Sequence, residues 1–294
     1  MALFQHKSVF LNESIQALDI QDSGTYVDAT FGRGGHSQLI LEQLGPGGKL
    51  IAFDQDLDAI AYANQHIDDQ RFQIIHDNFS NLSAHLPPET VHGVLMDIGV
   101  SSPQLDDATR GFSFMRDGPL DMRMDQSQQQ SAFEYLMQVN EKDLQYALSV
   151  YGEERHARRI AQAIISARKN QQLKNSTQSL VDIILATGLK RDKHKHPATR
   201  SFQAIRMVVN QEAQVLELGL EAALRSLVIG GKIVVISFHG LEHRVVKAFI
   251  RKYRQKDGAI VLKALGKAQG VSYQEKRDNP RSRSAYLRVM ERIK

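Results

Sequence analysis

Two glycines follow a predicted buried strand near the start of the chain, in the arrangement of a ligand-binding turn. The strand covers Tyr26–Thr30, and Gly32 and Gly34 follow it in the segment ATFGRGGHS. Glycine lets backbone N–H groups approach a ligand at the start of the next helix. Two ligand classes fit this turn, and a purely structural strand-to-helix turn is the alternative. In the nicotinamide pattern G-x-G-x-x-G/A, Ser37 stands at the small third position, whereas in the pattern D-x-G-x-G-x-G the acid Asp28 faces a cationic group.

A carboxylate ends the second predicted strand, Lys49–Asp54. Asp54 lies 20 residues after Gly34, where an acid can accept hydrogen bonds from both hydroxyls of a ribose. The neighbouring Asp56 and Asp58 superficially resemble a calcium loop, but the glycine and the late Glu of that loop are missing, and both acids are expected to cap a helix. No H-E-x-x-H spacing occurs, so the sequence predicts a nucleoside-binding carboxylate and no metal site.

Two more turns with polar or aromatic residues follow predicted strands. Phe79 comes after the third strand, Phe72–His76, where an aromatic ring could hold an adenine; a core phenylalanine is the alternative. Asp97 lies in the fourth strand, Gly93–Ile98, just before the turn Gly-Val-Ser-Ser-Pro. We expect Asp97 at the reacting centre, and the alternative is a buried carboxylate satisfied by backbone amides.

Strands separated by helices make up the first third of the chain. This alternation predicts βαβ units, a mostly parallel sheet and a ligand at the carboxyl ends of the strands. The middle third contains loop and helix patterns without a convincing strand, and strands return at Gly231–Ser237 after a long amphipathic helix near Ser201–Leu227. We therefore predict an α/β fold whose main domain comprises residues 1–106 and 200–294, with a helical insert at residues 107–199.

Charge is divided unevenly along the chain. The net charge of +4 combines −13 over residues 1–150 with +6 over residues 151–243 and +11 over residues 244–294. Clustered Lys and Arg suggest a polyanionic partner such as a nucleic acid. A solvated basic tail is the alternative interpretation.

Composition excludes several functional classes. The 294 residues contain no cysteine, which excludes disulfides, cysteine-ligated metals and thiol catalysis. No apolar run approaches the ~20 residues of a membrane-spanning helix, and the first residues lack the core of a signal peptide. We expect a cytoplasmic globular protein.

Longer segments resemble a known family. They are ATFGRGGHS, DIGVSSPQLDDATRGFSFMRDGPLDMRMD, YGEERHARRIAQAI, HPATRSFQAIRMVVNQE and NPRSRSAYLR, and together they resemble the bacterial 16S ribosomal RNA cytosine-N4 methyltransferases along nearly the whole chain. The resemblance implies a class I methyltransferase (Rossmann-like) fold with a mostly parallel seven-stranded sheet and an inserted helical domain for substrate recognition. It also implies S-adenosylmethionine as cofactor and, as substrate, the exocyclic N4 amine of a cytidine in the decoding (P-site) region of the small ribosomal subunit.

The resemblance also implies roles for individual residues. The residues implied in cofactor binding are Gly34, Gly35 and His36 on the methionine side, Asp54 at the ribose, Phe79 at the adenine, and Asp97 and Gln104. As a hypothesis on mechanism, the carboxylate of Asp97, or a backbone carbonyl of the turn up to Ser102, accepts a hydrogen bond from the amine and aids the loss of its proton. The candidate RNA contacts are Ser101, Ser102, Arg110, Arg155, Arg158, Arg159, Lys193, Lys195, Arg200, Arg281 and Arg283.

One segment departs from the family pattern. Where the family usually has F-H-S-L-E-D-R, this chain has F-H-G-L-E-H-R, so that Gly240 and His243 replace Ser and Asp. His239 in the same segment could line the same cleft.

Three other functions remain as alternatives. A nicotinamide oxidoreductase would bind NAD, and a non-catalytic RNA-binding or assembly protein would tolerate loss of Asp54 and Asp97. An enzyme acting on DNA amines would carry the turn D/N/S-P-P-aromatic, where this chain has Asp-Ile-Gly-Val-Ser-Ser. The sequence leaves the oligomeric state open.

Overall fold

The chain folds into two compact units. The structure is a computed structural model that describes residues 8–189, 196–254 and 261–294. Unit 1 is formed from Met1–Gly99 and Ala213–Lys294, and unit 2 is Val100–Glu212.

A mixed sheet forms the centre of unit 1. Its strands are β1 (Thr25–Asp28), β2 (Lys49–Asp54), β3 (Phe72–His76), β4 (Val91–Asp97), β5 (Leu227–Ser237), β6 (Leu262–Ala264), β7 (Gln269–Gly270) and β8 (Tyr286–Arg292). They lie in the order β3-β2-β1-β4-β5-β8-β6, and β7 pairs with β8. Strands β1 to β5 are parallel, whereas β8 is antiparallel to its neighbours. The mostly parallel sheet is therefore confirmed, but the prediction of seven strands was wrong, because the two-residue β7 adds a further strand to the described sheet.

Helices surround this sheet and make up most of unit 2. In chain order they are α1 (Leu11–Leu18), α2 (Gly35–Gln43), α3 (Leu57–His66), α4 (Leu82–His85), α5 (Ser102–Asp106), α6 (Ala132–Gln138), α7 (Glu141–Val150), α8 (Ala157–Lys169), α9 (Thr177–Ala186), α10 (Thr199–Val209), α11 (Glu212–Ser226), α12 (Gly240–Tyr253) and α13 (Tyr273–Asp278).

Both faces of the sheet are buried, as expected of parallel strands that read as continuous apolar runs. One face packs against α11 and α12, where Leu220 meets Met96 of β4 in a common core. The next residue back in β4, Leu95, points to the opposite face, where Leu18 of α1 and Ile40 of α2 are fully buried. This packing fixes the carboxyl ends of β1, β2 and β4 at one edge of the sheet.

Unit 2 has its own helical core. Its buried residues include Ile160 and Ile164 of α8, Leu180 of α9, and Phe202 and Ile205 of α10. Because α10 belongs to this core, the compact unit extends past the residue 199 at which the sequence places the end of the insert.

The long helix predicted at Ser201–Leu227 is interrupted. α10 ends at Val209 and α11 begins at Glu212, with Gln211 at a φ of 49° between them. The side chain of Asn210 points inward, where it donates to the carbonyl of Met122 (2.7 Å) and accepts from the amide of Met124 (2.7 Å). These bonds fasten the loop at Met122 and Met124 to the end of α10, while the amide of Asn210 still donates to the carbonyl of Arg206 (3.0 Å). Amphipathic spacing could not reveal this link.

One predicted strand is only partly within the described residues. The sequence predicts a strand at Ala259–Ala264, and β6 covers Leu262–Ala264. Residues 259 and 260 lie outside the described part of the chain.

Candidate active site

The glycine turn after β1 has the backbone that a ligand-binding turn requires. Gly34 caps α2 at a φ of 72°, and a Cβ there would lie 2.8 Å from the ring of Phe31. Gly32 has a φ of +56°, and nothing lies within 4 Å of the position of its missing Cβ. Both positions favour glycine, and at Gly32 the open space leaves the backbone accessible.

Asp28 lies beneath this turn and is 1% exposed. Its carboxylate accepts from the hydroxyl of Ser37 (2.6 Å) and from the amide of Thr30 (3.2 Å). Burial raises the pKa of Asp28 to about 6, and these hydrogen bonds oppose the rise. The serine at the third position of the glycine pattern therefore serves as a partner of the acid.

Asp54 joins the end of β2 to the glycine turn. Its Oδ2 accepts from the amide of Gly32 (2.8 Å) and its Oδ1 from the amide of Asp56 (2.9 Å). A carboxylate has about four acceptor positions, so each oxygen can accept one more hydrogen bond. Burial, against the opposing effect of both amides, raises the pKa of Asp54 to about 6. The group can accept from two adjacent hydroxyls of a ligand.

Asp97 lies at the end of β4 with one oxygen unsatisfied. Its amide donates to the hydroxyl of Thr30 (2.7 Å), and its Oδ2 lies 4.0 Å from Nδ1 of His36. Its Oδ1 is buried and has no hydrogen-bond partner in the described part of the chain. Burial and the charges of Asp28 and Glu242 raise the pKa of Asp97 well above its ordinary value. Because a buried unpaired oxygen is costly, this atom is a candidate ligand-binding group.

Glu242 is a site residue that the sequence analysis did not select. It is 2% exposed, and its Oε2 accepts from the amides of Phe238 (2.7 Å) and His239 (3.1 Å) at the start of α12. A Glu three residues after the N-cap residue, which is His239 here, is a recognisable capping signal. Its charge acts on Asp97, so it belongs to the acidic group of this edge.

Together, Asp28, Asp54, Asp97 and Glu242 form an acidic group in unit 1. Carboxylates held this close raise one another's pKa values, and a cationic ligand would relieve that repulsion. The arrangement fits a ligand with positive charge on one part and vicinal hydroxyls on another.

Phe79 follows β3 in a short 3-10 helix, Phe79–Asn81. Its half-buried ring lies against α11, where a Cβ on Gly219 would come within 2.3 Å of the ring. One side of the Phe79 ring is therefore packed in the core, as the alternative interpretation of this residue expects. Contact with an adenine remains a prediction for the other side.

His36 and Gly35 begin α2, and each is held by the segment before α1. His36 is 4% exposed, and its Nε2 lies 3.2 Å from the carbonyl of Val9. A Cβ on Gly35 would lie 2.3 Å from the hydroxyl of Ser8. Both residues therefore have a packing role, and their contact with the cofactor is a further prediction.

The predicted site residues of unit 2 have structural partners of their own. Ser101 and Gln104 form a capping box at α5, in which the amide of Ser101 donates to Oε1 of Gln104 (2.9 Å), and Ser102 is the first residue of that helix. Arg110 is 3% exposed and donates to two main-chain carbonyls of the segment Arg123–Met124 (3.1 and 3.0 Å). This burial gives Arg110 a structural role and offers RNA little of its guanidinium.

The other candidate RNA contacts differ in exposure. Arg200 in α10 is half-buried. The exposed members are Arg155, Arg158 and Arg159 in unit 2, and Arg281 and Arg283 in unit 1. Lys193 and Lys195 lie outside the described residues.

Within residues 8–189, 196–254 and 261–294, no group of three or more His, Asp or Glu side chains is arranged to hold a metal ion. None of the helices that the structure describes is long and apolar enough to span a bilayer.

Comparisons with known proteins show the family of this chain and its fold. The MraW methylase family matches residues 3–293. The ribosomal RNA small subunit methyltransferase H of Idiomarina loihiensis is 49% identical, and the match covers 99% of this chain and 98% of that protein. A crystal structure of a candidate rRNA methylase from Clostridium thermocellum superimposes with a TM-score of 0.50 at 14% identity, over 98% of this chain and 100% of that one. The likeness confirms the class I methyltransferase fold. On the extent of its match, the chain belongs to the MraW methylase family.

Proposed function

We propose that this chain methylates the exocyclic N4 amine of one cytidine in the decoding (P-site) region of 16S rRNA. The chain is an S-adenosylmethionine-dependent rRNA methyltransferase, because it belongs to this family and is similar to a small-subunit rRNA methyltransferase. The observation that carries the proposal is the acidic group, with the unpaired Oδ1 of Asp97 beside the glycine turn.

The residues of unit 1 fit the cofactor. Asp54 has one free acceptor position on each oxygen for the two ribose hydroxyls. The turn at Gly32 offers an uncovered backbone, and Asp28, Asp97 and Glu242 would supply negative charge to the cationic groups of the cofactor. When bound, S-adenosylmethionine supplies an electrophilic methyl group.

Positioning accounts for much of the expected rate, because methyl transfer from a sulfonium is an in-line displacement with a good leaving group. The amine of cytosine is a poor nucleophile since its lone pair is delocalised into the ring. A carboxylate held against its N–H draws that lone pair towards the nitrogen and takes the proton. With the donor held at this edge, its methyl group would go to the amine nitrogen with the thioether as leaving group, and Asp97 would take the proton that the amine loses. The raised pKa of Asp97 makes it a better acceptor than an ordinary carboxylate.

The basic residues supply the complementary surface for RNA. The exposed arginines of each unit can bind phosphates. The target base must leave its stack to reach Asp97. From an rRNA substrate we infer that the enzyme acts in the cytoplasm, with the small ribosomal subunit as its partner.

Tritium transfer from labelled S-adenosylmethionine tests the proposal. Small-subunit particles and free 16S rRNA serve as substrates, and the modified nucleotide is then mapped. We expect one N4-methylated cytidine in the decoding region. Labelling of another base or atom contradicts the proposal.

The role of Asp97 is tested separately with Asp97→Ala. We expect methylation to be lost while calorimetry still detects the demethylated product, S-adenosylhomocysteine. Loss of both would assign Asp97 to the geometry of the cofactor and would refute its role as proton acceptor.

A further inference from the structure

We propose that Tyr286 is a stacking platform for an unpaired base of the RNA substrate. The inference rests on the proposed function and deepens it. It adds an aromatic contact to unit 1, where the proposed RNA contacts are Asp97 at the reacting amine and two arginines that can contact phosphates.

The strand register places Tyr286 at the edge of the sheet where the parallel strands have their carboxyl ends. It pairs with Ser237, the last residue of β5. Because β8 is antiparallel, its first residue lies beside the carboxyl ends of the parallel strands. The neighbouring β4 ends at the same edge, since Asp97 pairs with Ile236. Tyr286 is therefore two strands away from the proposed proton acceptor.

The ring of Tyr286 is accessible to a ligand. The residue is 45% exposed, and its partner on the other side, in β7, is Gly270. A Cβ on Gly270 would lie at an ordinary contact distance of 3.8 Å from Cε1 of Tyr286, so the glycine leaves that side of the ring uncrowded. A large side chain in its place would cover part of the ring.

The imidazole of His243 packs against the ring of Tyr286. The two ring centroids are 5.1 Å apart at an angle of 50°, and Nη2 of Arg288 lies 3.1 Å from Nε2 of His243. Arginine has only donors, so Nε2 is the acceptor and the proton of the imidazole is on Nδ1. Burial and the charges of Arg288 and Lys247 lower the pKa of His243, which favours this neutral form. The departure from the family pattern at this position thus supplies an aromatic neighbour to Tyr286.

Two exposed cations precede the tyrosine in the chain. Arg281 and Arg283 lie in the 3-10 helix Pro280–Ser284, which leads directly into β8. An aromatic ring beside cations is the usual means of holding a single-stranded nucleic acid, because the base stacks while its phosphates are neutralised. Stacking tolerates any base, so Tyr286 is expected to hold the target or a neighbour without reading its identity.

The test is a steady-state comparison on the rRNA substrate that the wild-type chain methylates. The variants are Tyr286→Leu, which keeps an apolar side chain, and Tyr286→Phe, which keeps the ring. Tyr146→Leu is the matched control, since Tyr146 is an exposed tyrosine on α7, whose first turn is acidic. Stacking on an aromatic side chain is worth about 1–3 kcal/mol, so we expect Tyr286→Leu to raise KM for rRNA about 5- to 150-fold.

Three accompanying results are required. Tyr286→Phe and Tyr146→Leu should leave KM unchanged, and the affinity of Tyr286→Leu for S-adenosylhomocysteine should equal that of the wild type. The dependence of rRNA affinity on salt should keep its slope in Tyr286→Leu, because stacking releases no counterions.

An unchanged KM in Tyr286→Leu overturns the inference while leaving the methyltransferase assignment intact. A loss of cofactor affinity, or a large fall in Tm with the same effect in Tyr286→Phe, also overturns it, since both indicate a structural role. Failure of the wild type to methylate any rRNA would instead refute the proposed function.

Discussion

Removal of the carboxylate of Asp54 should abolish tight cofactor binding. Its two oxygens are fixed by the amides of Gly32 and Asp56 at 2.8 and 2.9 Å, so they are already oriented for a pair of hydroxyls. A hydrogen bond to a charged group is worth about 1.5–3 kcal/mol. Loss of two such bonds in Asp54→Ala corresponds to about 3–6 kcal/mol, or roughly a 10²- to 10⁴-fold weaker Kd.

The Asp54→Asn variant separates charge from shape. It keeps one acceptor oxygen but turns an NH2 group towards one of the two amides, so we expect an intermediate loss of affinity. The pKa of Asp54 is raised to about 6 by burial. The wild type should therefore bind S-adenosylhomocysteine more weakly as the pH falls below about 6, because protonation removes an acceptor, and Asp54→Asn should show a shallower decline.

Isothermal titration calorimetry with S-adenosylhomocysteine is the assay. Asp58→Asn is the matched control, because Asp58 is an exposed acid four residues further along the same segment. Equal Kd values for the wild type and Asp54→Ala, with both proteins folded, would refute the assignment of Asp54 to the ribose.

The remaining predictions concern the glycine turn, the buried acid and the basic surface. Gly34→Ala should lower the free energy of unfolding by about 1–3 kcal/mol, because its φ is positive and the new Cβ meets the Phe31 ring. Gly32→Ala should lower it only by the backbone strain of about 1 kcal/mol. Equal losses of unfolding free energy in the two variants, measured by denaturant titration, would contradict this prediction. The pKa of Asp28 is about 6 in the fold against 3.8 ordinarily, so its ionisation destabilises the fold increasingly as the pH rises through that interval. Asp28→Asn should therefore raise the free energy of unfolding at neutral pH by about 1–3 kcal/mol and not at pH 3, and destabilisation at both pH values would disprove it. Reversal of the charges of Arg281 and Arg283 should weaken rRNA binding and flatten its salt dependence, and an unchanged slope would exclude both from phosphate contact.

The sequence predicts those parts of the fold that depend on local pattern. Apolar runs followed by glycine or acid turns predict β1 to β4 and their common edge. The signal is continuous in β1 and β4, which are buried on both faces, whereas the outermost strand β3 is only partly buried. The interruption between α10 and α11 escapes this reasoning. It depends on the hydrogen bonds of Asn210 to a loop almost ninety residues earlier in the chain, which no local pattern encodes.

Predictions of site residues are limited by what burial does to polar side chains. Arg110 carries a charge suited to RNA, but the fold uses its guanidinium to hold main-chain carbonyls. Ser37 stands at the third position of the nicotinamide pattern in the sequence, and only the structure reveals it as the partner of Asp28. Glu242 joins the acidic group because α12 begins beside β4 and β5, a proximity that depends on tertiary packing.

A calorimetric titration of the wild-type chain with S-adenosylmethionine and S-adenosylhomocysteine tests the central claim most directly. This claim is that the acidic group of unit 1 holds the methyl donor. The acidic group predicts saturable binding of both compounds, with the cationic donor bound more tightly than its neutral-sulfur product. Absence of a binding heat for both compounds, confirmed by an unchanged Tm in their presence, would contradict it.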